Sequence, residues 1–232
     1  MTGRPFSRDM LADDTLQAAR DLIGVRLARG RGVDARVGRI VEVEAYVGRE
    51  DLASHAHVGR TARTSTMFGL PGRAYVYLTY GMYHCLNVVT EPDGRPAALL
   101  LRAVEPIAGT DAMRRARLDW LDSRFARPWD DRLPRARSRV AALDEVVLAS
   151  GPGLLCQAFS VTRLDNSVDL CDAASDLRLE TGDDEPLPVA TGPRIGMGSV
   201  PEPWHSRPWR FYVPGNPAVS HIGRSPRQKA GT

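Results

Sequence analysis

Read by its apolar positions, the chain opens on a helix. Leu16, Ala19 and Ile23 recur on one helical face, Asp13 or Asp14 can cap its start, and Gly24 supplies a stop. The period then changes from helix to strand. Residues 25–28, a Gly30-Arg31-Gly32 turn and residues 37–46 predict two strands, the second rich in β-branched side chains. Side chains alternate along a strand, so Glu42, Glu44 and Tyr46 share one face while Val41 and Val43 share the other. Residues 47–72 hold few apolar positions and close on Gly69-Leu70-Pro71-Gly72, the pattern of a long loop. Residues 73–80, Gly81, residues 82–90, the turn Glu91-Pro92-Asp93-Gly94 and residues 97–104 then predict a three-stranded antiparallel meander. Gly81 permits a sharp reversal, which places Tyr80 at or beside the tip of the first hairpin.

In the second half Thr110 stands where it can cap a helix running through Leu121. Residues 122–139 mix arginines with Pro128 and Pro134 and show little periodicity, so they read as an irregular excursion. Ser150 precedes Gly151-Pro152-Gly153 and the apolar residues 154–159, a capped helix start whose free N–H groups could hold a phosphate. Strands and turns follow, dense in Gly, Pro and Trp over residues 192–217 and strand-like at residues 209–213. The chain shows no internal repeat. A length of 232 residues with 43% hydrophobic content fits one domain over residues 1–224, and residues 225–232 read as a disordered tail.

Composition narrows the function classes. No apolar stretch approaches the roughly 20 residues that cross a bilayer, and the N-terminal residues lack the apolar run of a secretory signal, so the expected compartment is the cytosol. Three cysteines, Cys85, Cys156 and Cys171, form no C-x-x-C pair and read as reduced thiols. The formal charge of +3 permits a polyanionic partner without demanding one. Every basic residue except Lys229 is an arginine, a planar side chain suited to two-point phosphate contact. There is no G-x-x-x-x-G-K phosphate loop, no G-x-G-x-x-G opening a helix, and no H-x-E with P-C-x-x-C of the zinc deaminases. His55 and His57 lack a nearby Cys or third His, so the sequence implies no metal and no cofactor.

What remains is a matched set of side chains. Glu44 and Tyr46 lie on one strand face, His55 follows in the loop, and Tyr75, Tyr77, Tyr80 and Tyr83 crowd the hairpin. Tyr75 and Tyr83 are explained by sheet packing. A face that joins a carboxylate to aromatic rings is what a pocket for a flat, extruded base requires.

These residues resemble the alkyladenine, or methylpurine, DNA glycosylase family. The resemblance rests on Ile40-Val41-Glu42-Val43-Glu44-Ala45-Tyr46, Gly48, Glu50-Asp51, His55, Met67-Phe68, Tyr75-Val76-Tyr77, Tyr80-Gly81-Met82-Tyr83, Asn87 and residues 100–106. It continues through Ser150-Gly151-Pro152, Leu155-Cys156-Gln157-Ala158, Arg194-Ile195-Gly196 and Arg210-Phe211-Tyr212-Val213, and so covers nearly the whole chain. It implies an α+β fold: a single mixed domain around a curved antiparallel β-sheet, with a protruding β-hairpin and surrounding helices. It further implies Glu44 as general base with Arg102 close to the flipped nucleotide, and a base pocket of Tyr46, His55, Tyr77 and Asn87. His55 would offer a hydrogen bond to the purine edge and Asn87 would crowd the exocyclic amine of normal guanine. Tyr80, with Met82, would intercalate in the vacated stack. The implied partner is double-stranded DNA carrying damaged purines, bound by a monomer, with no membrane. Two features depart from the family pattern: the chain is longer between Met113 and Ser150, and Leu154 stands where the pattern has a lysine.

The alternative from another class is a non-catalytic nucleic-acid binder, in which tyrosines stack on bases and arginines hold phosphates. It leaves Glu44 unexplained, because an acid on a phosphate-binding face repels the ligand.

Overall fold

The computed structural model describes residues 3–125, 132–182 and 185–220. In chain order its elements are β1 (Arg4–Pro5), α1 (Thr15–Leu22), β2 (Arg26–Arg29), β3 (Arg36–Val47), β4 (Ala74–Thr79), β5 (Tyr83–Val89), β6 (Ala97–Ala108), α2 (Thr110–Arg124), α3 (Arg132–Ala141), α4 (Pro152–Ala158), β7 (Leu177–Thr181), β8 (Ala190–Gly192) and β9 (Arg210–Tyr212). Asp14 caps α1, its carboxylate accepting the Gln17 N–H at 2.8 Å, and Gly24 at φ 93° follows the helix as expected. Ala18, Ala19 and Leu22 of α1 are fully buried against the sheet. Complete burial of a leucine such as Leu22 contributes roughly 1.5–3 kcal/mol.

All strand pairs are antiparallel, in the order β1-β7-β2-β3-β6-β5-β4, with β9 joining β3 and β8 joining β9. The twelve-residue β3 organises the sheet. One edge bonds β6 along almost its whole length, while the other bonds β2 over Arg36 to Arg39 and β9 over Glu42 to Glu44. Register shifts at Val37/Gly38 and around Glu42 bend the strand and so curve the sheet. The opposite face, with Val41, Val43 and Ala45, joins the main core beneath α1, α4 and Phe211. This is the α+β domain with a curved antiparallel sheet that the resemblance implies. Among the described residues no helix is long and apolar enough to cross a membrane.

The meander is as anticipated, with Thr79 opposite Tyr83 across the tip and β6 extending further, to Ala108. Pro106 is tolerated there because β5 reaches only to Leu100, so at Pro106 that edge of β6 bonds no strand among the described residues. Tyr80 at φ 50° and Gly81 at φ 65° form the tip, closed by the Met82 N–H to the Thr79 carbonyl at 3.0 Å. Two positive φ values in succession suit a right-twisted hairpin and favour glycine at the second position.

Three local expectations are corrected. Thr110 does not cap α2; Gly109, at φ 76°, holds the cap position and Thr110 is already helical. Ser150 does not cap α4, because Gly151 at φ 113° stands there and Pro152 opens the helix. The excursion is not irregular where it is described: α2 runs on to Arg124, and residues 132–141 form α3. Leu133, Ala136 and Val140 supply a face for α2, and Pro134 falls in the first turn, where its missing N–H has no intrahelical partner to lose. Residues 126–131 and the anticipated disordered tail lie outside the described residues.

Candidate active site

The acid-bearing face of β3 is completed by Arg102 from β6. Glu42 and Glu44 are fully buried, a costly placement for two carboxylates two residues apart. Guanidinium groups offset it. Glu42 accepts Arg102 Nε at 2.9 Å, Arg210 Nε at 2.7 Å, the Ser220 N–H at 2.7 Å and the Ser220 hydroxyl at 2.6 Å. Glu44 accepts the Ile195 N–H at 2.6 Å and the Tyr46 hydroxyl at 3.0 Å, and Arg102 Nη1 stands 3.2 Å from its Oε1. Two carboxylates and two guanidiniums thus form one neutral buried cluster, with Arg102 bridging the acids.

Beyond Tyr46 opens a cavity of about 160 Å³, lined by Tyr46, Ala53, His55, Met67, Tyr75, Tyr77, Asn87 and Met197. Its walls are aromatic and thioether surfaces. His55 meets Tyr77 edge-on with ring centroids 4.5 Å apart, and Tyr75 and Tyr77 lie 5.4 Å apart. Asn87 is buried, lines the cavity and donates from Nδ2 to the Tyr75 carbonyl at 3.0 Å, which holds its amide in place. Burial, then the nearby Arg63, pushes the His55 pKa down to about 4. The imidazole is therefore neutral near pH 7, with one donor and one acceptor nitrogen; Nδ1 is 3.0 Å from the Tyr75 hydroxyl. Burial raises the Tyr46 pKa, and the neighbouring Glu44 raises it further. Tyr46 is accordingly a neutral phenol that donates to Glu44.

The structure brings Glu44, Arg102, Tyr46, His55, Tyr77 and Asn87 to one place, with Tyr46 between the cavity and the acid. Tyr80 and Met82 stand apart at the hairpin tip, 88% and 41% exposed. His57, two residues from His55, is exposed and bonds the Arg49 carbonyl instead. Tyr83 is a packing residue as anticipated, stacked on Trp120. Tyr75 is not merely packing: its hydroxyl holds His55 and its ring lines the cavity.

Sequence reasoning assigned no role to Asp51, Arg194 or Ile195. Arg194 is wholly buried, donates to both Asp51 oxygens at 2.6 and 2.9 Å, and lies 4.7 Å over the Tyr46 ring. Its neighbour Ile195 supplies the N–H that Glu44 accepts. Both motifs were visible, but 143 positions separate the partners and no local pattern links them.

The methylpurine-DNA glycosylase family model matches residues 9–217. A protein of Methanocella arvoryzae with the provisional name 3-methyladenine DNA glycosylase is 46% identical over 213 residues, covering 92% of this chain and 94% of its own. A protein of Alkaliphilus oremlandii with the same name is 39% identical over 207 residues, and one of Bacillus cereus is 40% identical over 211; each alignment covers 89% of this chain and 94% of the relative.

Proposed function

The chain belongs to the methylpurine-DNA glycosylase family, and from that premise we propose that it flips a damaged purine out of duplex DNA and hydrolyses its bond to deoxyribose without cutting the strand. Its family and its relatives' names support DNA-3-methyladenine glycosylase activity. The observation that carries the finer reading is the placement of Glu44 directly behind Tyr46, which walls an aromatic cavity of about 160 Å³.

In this reading the purine enters between Tyr46, His55 and Tyr77, with Asn87 at its edge. Glu44 takes a proton from water as the water oxygen bonds C1′ and the C1′–N bond breaks, its electrons leaving with the purine. The carboxylate also stabilises the positive charge that develops on the sugar. Arg102, buried against both acids, holds Glu44 in place. A purine alkylated at N3 or N7 is cationic and leaves as a neutral molecule, so such a base is the easier leaving group. The rival, a pure binder, has no use for a carboxylate held by three donors behind the Tyr46 wall of the pocket.

Tyr80 is the wedge of this reading. A ring exposed on a glycine-supported tip can fill the vacated stack, and a base–aromatic stack contributes about 1–3 kcal/mol. Tyr80→Ser is expected to weaken flipping roughly 5- to 150-fold on that scale. A fluorescent base beside the lesion reads it; equal flipping by variant and wild type removes the wedge role.

Strand cleavage would need an amine to form a Schiff base with the opened sugar, and the chain has a single lysine, Lys229. Arginine remains protonated and cannot serve. Incubation with lesion-bearing duplex is expected to leave an intact strand with an abasic site, cut only after alkali. Borohydride added during turnover is expected to trap no protein–DNA adduct, and a stable adduct would overturn the monofunctional reading.

A further inference from the structure

The segment formed by α2 and α3 is packed against the hairpin through α2. Trp120 of α2 stacks on Tyr83 with the rings offset, their centroids 5.5 Å and their planes 15° apart. Phe125, just after α2, meets Trp120 edge-on at 6.5 Å, and Arg132, the first residue of α3, lies 5.3 Å over the Phe125 ring. Arg124 Nη2 reaches the Gly81 carbonyl at the tip, 3.5 Å away. At the far end Arg114 donates to the Val140 and Ala141 carbonyls at 2.7 and 3.1 Å. Anchored at both ends on α2, α3 is a ridge borne by the helix that Trp120 and Arg124 fasten to the hairpin.

The ridge carries charge of one sign. Its sequence, Arg-Leu-Pro-Arg-Ala-Arg-Ser-Arg-Val-Ala, contains no acid. Arg132, Arg135 and Arg139 fall at i, i+3 and i+7 and form one exposed row, about 10 Å long at 1.5 Å per residue. Arg137 points elsewhere and pairs with Asp122. Phosphates of one strand recur about every 3.4 Å along a duplex, so a row of that length laid along the axis covers about three.

We infer that the Arg132–Arg135–Arg139 row of α3 is a second arm of the DNA interface, holding backbone phosphates of the duplex beside the nucleotide that Tyr80 displaces. The inference rests on the proposed glycosylase reading. Guanidinium forks suit phosphate oxygens, and such contacts fix position on the duplex without reading sequence. The arm therefore adds affinity for damaged and undamaged DNA alike. It leaves the chemistry at Glu44 untouched.

The test uses the full chain with Arg135→Gln and Arg139→Gln combined, changes that keep a helix-forming side chain of similar reach. The dissociation constant for lesion-bearing and undamaged duplexes is measured against salt. The slope of log affinity on log salt is expected to flatten by about one to two, since each phosphate contact contributes about 0.9. Affinity at 0.1 M salt falls tenfold or more and converges with wild type near 1 M, while excision under saturating enzyme keeps its rate. The Arg135→Lys, Arg139→Lys pair is expected to retain most of the slope, and Arg137→Gln all of it. An unchanged slope in the Gln pair overturns the arm, and so does equal loss in the Lys pair, which would report damage to α3. A wild-type protein that excises nothing overturns the glycosylase reading instead.

Discussion

Glu44→Gln is expected to leave a folded protein that still captures a lesion-bearing duplex but excises its purine at least 100-fold more slowly. The amide keeps the shape of the side chain. Its oxygen can accept the Ile195 N–H and face Arg102 Nη1 as Glu44 Oε1 does, and its NH₂ can donate to Tyr46, whose hydroxyl turns to accept. What is lost is the proton acceptor and the negative charge beside the sugar. General-base catalysis alone contributes typically 10²- to 10⁴-fold. Removing the charge leaves Arg102 with Glu42 as its remaining acidic partner, so a modest fall in stability accompanies the change. Single-turnover excision and lesion affinity by fluorescence anisotropy separate the two effects. Excision within tenfold of wild type would remove Glu44 from the base role, and loss of affinity without further loss of rate would make it a binding residue.

Part of this site was legible in the sequence from short-range periodicity, and the family resemblance named others of its residues, Arg102 and Asn87 included. Alternation along β3 put Glu42, Glu44 and Tyr46 on one face, and the register of β3 against β6 then set Arg102 between the two acids. Tyr80 followed from a glycine at a hairpin turn. The partners that arrive from afar were not legible. Ser220 and Arg210 reach Glu42 from the C-terminal segment, and a strand pattern at residues 209–213 says nothing of its pairing with Glu42 to Glu44. The helical nature of α3 was hidden for a different reason. Its apolar face is only Leu133, Ala136 and Val140, too sparse against five polar or charged neighbours and a proline to signal a helix until α2 is there to cover it. The aromatic ladder Tyr83–Trp120–Phe125 joins two elements whose own patterns each explain the residue as packing.

The largest effect on stability is expected from Asp51→Ala. Asp51 and Arg194 have no exposed side-chain surface, and they meet through two oxygens at 2.6 and 2.9 Å. Asp51 also accepts the Val47 and Ala53 N–H groups at 3.3 and 3.0 Å, so it closes the turn after β3. Truncation strands a guanidinium in the interior beside Tyr46 and Trp209, with the Ala45 and Trp204 carbonyls left to it among the described residues. Breaking a buried pair in this way costs about 3–5 kcal/mol, a large share of the roughly 5–15 kcal/mol that holds a domain folded. The pair Arg115–Asp34 provides the contrast at a similar distance, 2.9 Å, with side chains 60% and 73% exposed. Asp34→Ala is expected to cost under about 1 kcal/mol, because water and side-chain entropy offset most of the attraction. Urea unfolding of the two variants against wild type measures the difference directly. Activity should follow stability only for Asp51, since Arg194 supports the Tyr46 ring and its neighbour Ile195 donates to Glu44. In conditions where the Asp51→Ala protein is still folded, excision is expected to fall at least tenfold, the scale of about 1.4 kcal/mol in the barrier. Equal unfolding midpoints for the two variants would show that the buried pair is no more than a surface contact in energy, and full activity in folded Asp51→Ala would detach it from the site.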